Sequence, residues 1–350
     1  MKNRIELIDV AKGISIILVA LHHSHLATYF SGLNRAMGLF RVPLFFFLSG
    51  VFFNPLDNPR RFFFKRTDGL LKPYFATLFI VLFLSLLLGK GDILQQAVGI
   101  LYGNGNTIRW PPLWFLTHLW CVSMITFAFF YAMKIGKINR SQKYFLVLSL
   151  LVTGFLLVET FWQIPVSILG IDFELPGLPF SFDLIPLSMA FYVSGYFLSK
   201  EIKAFRPRLS IFFPALILLI CIAVFTGALV NLNVRVLREP VFATLAAVFG
   251  IYCILTISYC FCKTVLLKRI LLTCGVASLF ILLFHWYIEN KFQKIFLFIF
   301  DGNFQPAISS LSFAACIFLP VLIRKIFSRV SILKTLYFPT AYDVKSTFLV

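Results

Sequence analysis

The chain has 350 residues, of which 60% are hydrophobic and only 13% are charged, and its mean hydropathy is +0.91. Soluble domains carry about 25% charged residues, so this composition excludes a soluble globular protein and indicates an integral membrane protein. The net charge of +18 does not indicate nucleic-acid binding, because the basic residues lie in short blocks between apolar runs and not on one folded face.

In chain order, the apolar runs predict an all-α polytopic membrane protein with about ten transmembrane helices, since about 20 mainly apolar residues cross a bilayer. We predict a single membrane-embedded domain over 1–330 and a short cytoplasmic tail over 331–350, in a bacterial inner membrane. The longest connections are expected at 90–112 and 163–180. The predicted spans are 7–27, 36–54, 73–89, 113–133, 144–162, 181–199, 210–230, 241–262, 270–289 and 305–323.

The basic residues are distributed unevenly between alternate connections. If the N-terminus is cytoplasmic, 23 of the 32 lysines and arginines fall in inside segments and 8, with Arg41 among them, in outside segments. Because cytoplasmic loops are enriched in Lys and Arg, both termini are predicted to be cytoplasmic. Most of the positive charge is then a topology signal.

The first predicted span, which contains "KGISIILVALHHSH", carries ionisable residues. On a helix that turns about 100° per residue, Lys12 and His23 lie about 60° and about 40° from Asp9, so the three share one face. About 21 Å of helix separates Asp9 from His23. Ionisable groups within a span usually mark a pathway or a site, although an Asp9–Lys12 ion pair beside interfacial histidines is an equally open interpretation.

The three histidines of this span are not equivalent. His22 lies about 100° from His23, and His25 lies nearly opposite Asp9, so His23 alone continues the polar stripe. No carboxylate is near them in sequence, and the seven cysteines form no CxxC pair. We therefore predict no metal site.

A dense basic segment, "RRFFFKRTDGLLKPY" from Arg61 to Tyr74, precedes the third span. It is either a topology signal or a site for the phosphates of a nucleotide-like ligand or an anionic lipid. On the other side, "YGNGNTIRWPPLW" combines Asn104 and Asn106 with Trp110 and Trp114. Such groups bind sugars, but a turn beside an interfacial aromatic belt has the same residues.

Several stretches together resemble the acyltransferase 3 family, whose members are multipass membrane acyltransferases that O-acetylate glycans and other carbohydrates. The similar stretches are "RIELIDVAKGISIILVALHHSH", "RVPLFFFLSGVFF", "KRTDGLLKPY", "PPLWFLTHL" and "GVASLFILLFHWY". The first departs from the family by having His22 where Gly is frequent, and the third has Gly69 where a second arginine is frequent.

This resemblance implies an acetyl-CoA co-substrate and an acceptor on the opposite side of the membrane. Cytoplasmic acetyl-CoA would be held through its phosphates by basic residues at the inner end, namely Arg4, Lys12, Arg61, Lys65 and Arg66. The implied acceptor is a hydroxyl of an extracytoplasmic or lipid-linked glycan.

The resemblance also implies a division of roles among the site residues. His23 is expected to be the general base, because histidine is suited to take a hydroxyl proton near neutral pH. Asp9 would complete the catalytic stripe by positioning its inner end. Trp110 and His285 would contact the acceptor, although an interfacial role for His285 is equally open.

A glycan or solute transporter, or a flippase, is the competing function. Proton-coupled carriers usually have acidic groups at mid-membrane, and Glu159, Glu239 and Glu289 are expected near span ends. The identity of the acceptor, direct transfer against an acetyl-histidine intermediate, and the oligomeric state all remain open.

Overall fold

The computed structural model describes residues 5–133, 138–168 and 171–340, and most of these are helical. Two antiparallel hairpins lie between helices, β1 Trp162–Ile168 with β2 Ile171–Pro176 and β3 Leu229–Asn231 with β4 Val236–Arg238. The helices are α1 Glu6–His22, α2 Ser31–Gly50, α3 Pro59–Arg66, α4 Lys72–Leu87, α5 Ile93–Tyr102, α6 Trp114–Ala132, α7 Arg140–Leu157, α8 Ile185–Phe197, α9 Ser199–Lys203, α10 Leu209–Phe225, α11 Pro240–Phe261, α12 Val265–Val276, α13 Ser278–Ile299, α14 Gln305–Phe327 and α15 Ser331–Tyr337.

The all-α membrane architecture is confirmed, because every predicted span contains helix. Four helical stretches of the described residues are long and apolar enough to cross a membrane: Pro59–Leu87, Pro111–Ala132, Pro240–Phe261 and Gln305–Phe327. Two more meet this test only as bent pairs, Glu6–His22 with His25–Gly50 at 92° and Val265–Val276 with Ser278–Ile299 at 84°. Ten crossings and the side of each terminus therefore remain predictions.

The topology prediction can be tested with reporter fusions. Fusions after Lys72 and after Arg208 should report a cytoplasmic location, and a fusion after Gly105 should report the outside, because the basic blocks favour that orientation. A periplasm-active phosphatase and a cytoplasm-active fluorescent reporter at each site would measure this. An outside signal after Lys72 would reverse the orientation and remove the basic segment from the cytoplasmic face.

Local sequence explains the ends and breaks of several helices. Asn58 caps α3 by accepting the Arg61 N–H at 3.2 Å, with Pro59 at the first helical position. A wide π-helical turn over Thr67–Leu71 joins α3 to α4. It lies just before Pro73, which cannot donate a backbone hydrogen bond to the preceding turn.

The first helix has a central position in the bundle. Helix α1 contacts α2, α11, α12, α13 and α14, and α2 in turn packs on α8 and α11. The residues of the predicted stripe are therefore surrounded by protein, as ionisable residues in a membrane span usually are. Asp9 and Lys12 are 6% and 9% exposed.

Glycines allow the closest of these helix contacts. A Cβ on Gly13 would lie 2.1 Å from the carbonyl oxygen of Leu271 in α12, and one on Gly275 would lie 2.2 Å from the carbonyl oxygen of Asp9. Helices α2 and α8 meet in the same way, through Gly50 and Gly195. Small residues at such positions let backbones approach closely, which is how transmembrane helices associate.

Substitution of Gly13 should therefore destabilise the bundle. Gly13→Leu forces α1 and α12 apart, and overpacking of this kind typically costs about 1–3 kcal/mol or more. Gly32→Leu is the matched control, because a Cβ on Gly32 meets no atom within 4 Å. The yield of folded, detergent-extracted protein should fall for Gly13→Leu and be unchanged for Gly32→Leu; equal yields would contradict the packing role.

A buried arginine connects segments that belong to the predicted outer side. Arg235, 1% exposed, donates to both carboxylate oxygens of Asp183 at 2.9 and 3.2 Å and to Ser181 Oγ at 3.1 Å. It also donates to Asn104 Oδ1 at 3.3 Å, and its guanidinium lies 5.6 Å from the Trp162 ring centroid. The β1–β2 hairpin and the connections before α6 and α11 are thereby joined.

The beginning of the predicted tail packs against helix α4. The ammonium group of Lys72 donates to the carbonyl of Phe338 at 2.6 Å. The hydroxyl groups of Thr77 and Tyr337 lie 3.2 Å apart, and Tyr337 is 3% exposed. Residues up to Phe338 therefore lie against the helical bundle, and the domain boundary at residue 330 remains a prediction.

Candidate active site

The three histidines near the end of α1 lie at a break between helices. Helix α1 ends at His22, His23 follows as its C-terminal cap, and a 3₁₀ turn begins at His25. Ser24 Oγ donates to the Leu21 carbonyl at 2.7 Å, which satisfies one of the carbonyls left open at the helix end. The chain then turns so that the axes before and after the break differ by 92°.

The packing of α13 against α1 brings a fourth histidine, His285, to this break. The imidazole centroids of His23 and His285 are 5.4 Å apart. His285 is fully buried, and its Nδ1 lies 2.7 and 3.1 Å from the carbonyl oxygens of Ile281 and Leu282. Carbonyls only accept, so Nδ1 carries the proton, and Nε2 is left as a buried acceptor with no hydrogen-bond partner among the described residues.

The ring of His23 is available for chemistry. It is half-buried, and it contacts the rings of His22 at 4.8 Å and His285 at 5.4 Å between centroids. Within the described part of the chain, none of its hydrogen bonds involves a ring nitrogen. A ring nitrogen that lacks a protein partner can accept a proton from a bound molecule.

The other two histidines are held by polar partners. His22 Nδ1 lies 3.3 Å from Asn34 Oδ1, which also accepts from Arg41 at 3.2 Å. The backbone N–H and Nδ1 of His25 donate to the carboxylate of Glu289 at 2.7 and 2.9 Å. Glu289 is only 1% exposed, so this contact fixes the break against α13.

A cavity of about 520 Å³ opens beside these histidines. Its volume lies in the range of about 300–1,000 Å³ that is usual for ligand pockets. His22, His23, Asn34, Arg35, Arg41 and Trp114 are among its lining residues, together with the segment from Leu229 to Asn233. We call it the outer cavity, since the predicted topology places it towards the extracytoplasmic side.

Two smaller cavities share lining residues in series from the outer cavity to the basic segment. The middle cavity, of about 70 Å³, is lined by Lys12, Arg66 and Ser278 and shares Phe45, Phe115 and Leu282 with the outer cavity. The inner cavity, of about 40 Å³, is lined by Lys65, Arg66 and Asp57 and shares Phe52, Arg66 and Leu70 with the middle one. Shared walls make the three cavities neighbours in a row from the basic segment to His23.

Most of the predicted donor-binding residues border this row. The Lys12 ammonium group lies 4.8 Å from the Phe52 ring centroid, at the middle cavity. Arg66 donates to the Tyr192 hydroxyl at 3.2 Å and forms part of both the middle and the inner cavity. Arg61 is exposed and lines none of the three, and Arg4 lies outside the described residues.

The remaining predicted residues lie beside the row. Asp9 is 6% exposed, and its backbone carbonyl faces α12, where Gly275 approaches it. Trp110 packs on the rings of Tyr287 and Phe284, with centroids 5.4 and 6.2 Å apart, and does not line the outer cavity. Trp114 does line it, and is 8% exposed.

The polar groups near Trp114 serve the loop structure. The Nδ2 group of Asn104 donates to the Pro176 carbonyl, and Asn106 Nδ2 donates to the Asn233 carbonyl at 2.8 Å. These amides are therefore used within the protein. No group of three or more His, Cys, Asp or Glu side chains in the described ranges is placed to hold a metal ion.

Comparison with known protein families decides what kind of enzyme this geometry serves. A family model described as an acyltransferase domain (Acyl_transf_3) matches residues 5–325, which is nearly the whole chain. The chain belongs to the acyltransferase 3 family. It is therefore a membrane acyltransferase, with an acyl donor and an acceptor as its substrates. No curated protein and no solved structure matches the chain.

Two polar residues that are not among the predicted site residues lie beside the histidines of the acyltransferase. Arg41, counted with the outside segments, lies inside α2 and is 6% exposed. Glu289, expected near a span end, lies near the middle of α13, because this helix begins at Ser278 and not at residue 270. Glu289 bonds His25 at the end of the first predicted span, so the absence of a mid-membrane carboxylate stays a prediction. The family match, and not this carboxylate, shows that the protein is an enzyme.

The sequence contained a signal for one of these residues. An arginine within the apolar run "RVPLFFFLSG" is an ionisable group in a predicted span, and such groups usually face the protein interior. Because Arg41 was counted only as a topology signal, its place at the site was not predicted. For Glu289 no local signal exists, because its partner His25 is 264 residues away.

Proposed function

We propose that the acyltransferase moves an acetyl group from cytoplasmic acetyl-CoA to a hydroxyl of an extracytoplasmic or lipid-linked glycan. The observation that carries this proposal is the row of three cavities, which leads from the basic segment to the unbonded ring of His23. A donor that enters at the basic end and an acceptor that enters the outer cavity would meet beside that ring.

The donor end has the chemistry that CoA phosphates require. Lys65 and Arg66 border the inner cavity, and Lys12 borders the middle one. Lysine and arginine bind phosphates by charge-assisted hydrogen bonds, and arginine adds a planar pair of donors. The middle cavity is small, about 70 Å³, and apolar side chains such as Ile16 and Leu48 form most of its wall, which suits the apolar part of the pantetheine arm.

The proposed chemistry is direct transfer with His23 as general base. The imidazole takes the proton of the acceptor hydroxyl while its oxygen attacks the thioester carbonyl carbon. The tetrahedral intermediate then expels the CoA thiolate, and the imidazolium returns the proton to that sulfur. The products are the O-acetyl ester and free CoA, with the histidine restored.

Two further residues have supporting roles in this proposal. His285 is fully buried and lines none of the three cavities, so it would orient the acceptor only through the ring of His23, 5.4 Å away between centroids. Asp9 would position the inner half of α1, because it is buried and its backbone carbonyl faces α12. It lines none of the three cavities, so we give it no direct contact with substrate.

The test is acetyl transfer by the purified full-length protein in lipid nanodiscs. Labelled acetyl-CoA and a mixture of glycans from the native cell surface are supplied, and label in the glycan fraction is measured. Deletion of the gene should in parallel remove O-acetyl signals from one surface glycan by NMR. Transfer to a small molecule only, with all surface glycans unchanged, would contradict the glycan acceptor.

A further inference from the structure

Arg41 is a buried cation that borders the outer cavity. It is 6% exposed and lies in α2, in the wall of the cavity. A single hydrogen bond is recorded for its side chain within the described residues, from its guanidinium to Asn34 Oδ1 at 3.2 Å. No described carboxylate lies within the 4.0 Å that defines an ion pair with it.

The other deeply buried arginine, Arg235, has a carboxylate partner. Arg235 is bound by both oxygens of Asp183 and by three further acceptors, so its charge and most of its donors are satisfied. A buried charge without a counter-ion is costly. The guanidinium of Arg41 has five N–H donors, of which one is used. It therefore has both charge and donors left for an anion in the cavity.

The rest of the outer cavity has the same electrostatic character. Its wall contains Arg35 as a second cation, two histidines, and several amide or hydroxyl side chains. None of its described lining residues is an aspartate or a glutamate. A cleft lined by one sign of charge concentrates ligands of the opposite sign.

We infer that the acceptor carries an anionic group, a carboxylate or a phosphate, which binds Arg41. This inference rests on the proposed function and deepens it by naming the class of acceptor as an acidic sugar. Asn34 bonds both Arg41 and His22, and His22 adjoins His23. An anion on Arg41 would thus fix the sugar at a set distance from the base, which is what converts binding into a productive orientation.

The test measures binding, so that it does not depend on turnover. The full-length protein in zwitterionic nanodiscs is titrated with glucuronate, its methyl ester, glucose 6-phosphate and glucose, and the change in tryptophan fluorescence is recorded. Trp114 in the cavity wall is the reporter. The two anions should bind at least about tenfold more tightly than the ester and glucose, as expected for charge-assisted hydrogen bonds.

Variants then assign the binding to Arg41. Arg41→Gln should remove the preference for the anions, and Arg41→Lys should retain part of it, since lysine keeps the charge without the planar pair of donors. Arg238→Gln is the control, because Arg238 is exposed and does not line the outer cavity. A second titration in nanodiscs that contain phosphatidylglycerol tests whether Arg41 binds a lipid headgroup. Such a headgroup would compete with glucuronate and glucose 6-phosphate.

Each outcome decides the inference. Equal binding of glucuronate and its methyl ester, no binding of either anion, or an anion preference that survives Arg41→Gln would overturn it. Displacement of both anions by phosphatidylglycerol would also overturn it, in favour of a lipid site. Acetyl transfer to neutral glycans by the same preparation would contradict the anionic acceptor but support the proposed function. Anion binding at Arg41 without any acetyl transfer would support the anion site but contradict the proposed function.

Discussion

His23→Ala should reduce acetyl transfer by about 10²–10⁴-fold, the usual cost of losing a positioned general base. The protein should still insert, fold and bind acetyl-CoA, because no hydrogen bond of the described structure depends on the His23 ring. The measurement is the rate of transfer of labelled acetyl groups at matched amounts of protein in the membrane. Donor binding, measured separately, should be unchanged.

The neighbouring histidines provide matched controls for this loss. His22→Ala and His25→Ala should retain a substantial part of the activity. The ring of His22 is engaged with Asn34 and is not expected to take the acceptor proton. In His25→Ala, the backbone N–H of residue 25 can still donate to the carboxylate of Glu289. An inactive His22→Ala beside an active His23→Ala would move the base by one residue. Full activity in all three variants would end the histidine-base mechanism.

His285 is the alternative base, and its variant separates the two roles. If His285 orients the acceptor, His285→Ala should raise KM for the acceptor more than it lowers kcat. If it is the base instead, His23→Ala should remain active and His285→Ala should lose kcat. The pH dependence of kcat/KM tests the feature that both roles share, because a histidine base at either position produces a loss of rate as the imidazole becomes protonated.

The helices and the polar stripe were predictable because both follow from local sequence. Hydropathy over about 20 residues locates a span, and every predicted span contains helix. The stripe was predicted from helical periodicity alone, and two of its residues, Lys12 and His23, do line neighbouring cavities. Asp9 is predicted to share their face but lines none of the three cavities, since periodicity does not say which neighbour a residue meets.

The site itself depends on contacts that no local pattern contains. The approach of His285 to His23 requires the packing of α13 on α1 and a break in the chain at Ala277, where the helix axes differ by 84°. Hydropathy reads 270–289 as one continuous span, because both sides of the break are equally apolar. The hairpins β1–β2 and β3–β4 were not predicted, because each strand is short and the first and third begin where predicted helical spans end.

The glycines show how a motif residue acquires a physical meaning only from the structure. Gly13 and Gly275 belong to two stretches that resemble the family, 262 positions apart in sequence. In the fold each allows the backbone of the other's helix to approach, which holds α1 against α12. The position of Lys12 beside the middle cavity depends on this contact, because the lysine adjoins Gly13.

Arg66→Ala should weaken acetyl-CoA binding by about 10- to 100-fold. Arg66 borders both the middle and the inner cavity, and a hydrogen bond to a charged group is worth about 1.5–3 kcal/mol, with each 1.4 kcal/mol a factor of ten. The measurement is the dissociation constant of acetyl-CoA for the purified protein in nanodiscs. Tyr192→Phe, which removes the hydroxyl that Arg66 contacts, should have a smaller effect, because the cation remains.

Arg60→Ala distinguishes phosphate binding from a topology signal. Arg60 lies in the same basic segment and is exposed, but it lines none of the three cavities. The two variants remove one positive charge from the same connection, so they weaken the topology signal equally. Only Arg66→Ala removes a cation that borders the proposed donor path. The loss of acetyl-CoA affinity in this variant should be smaller at high ionic strength, because salt screens phosphate contacts. Equal and unchanged affinities in Arg60→Ala, Arg61→Ala and Arg66→Ala would reduce the basic segment to an orientation signal and place the donor elsewhere.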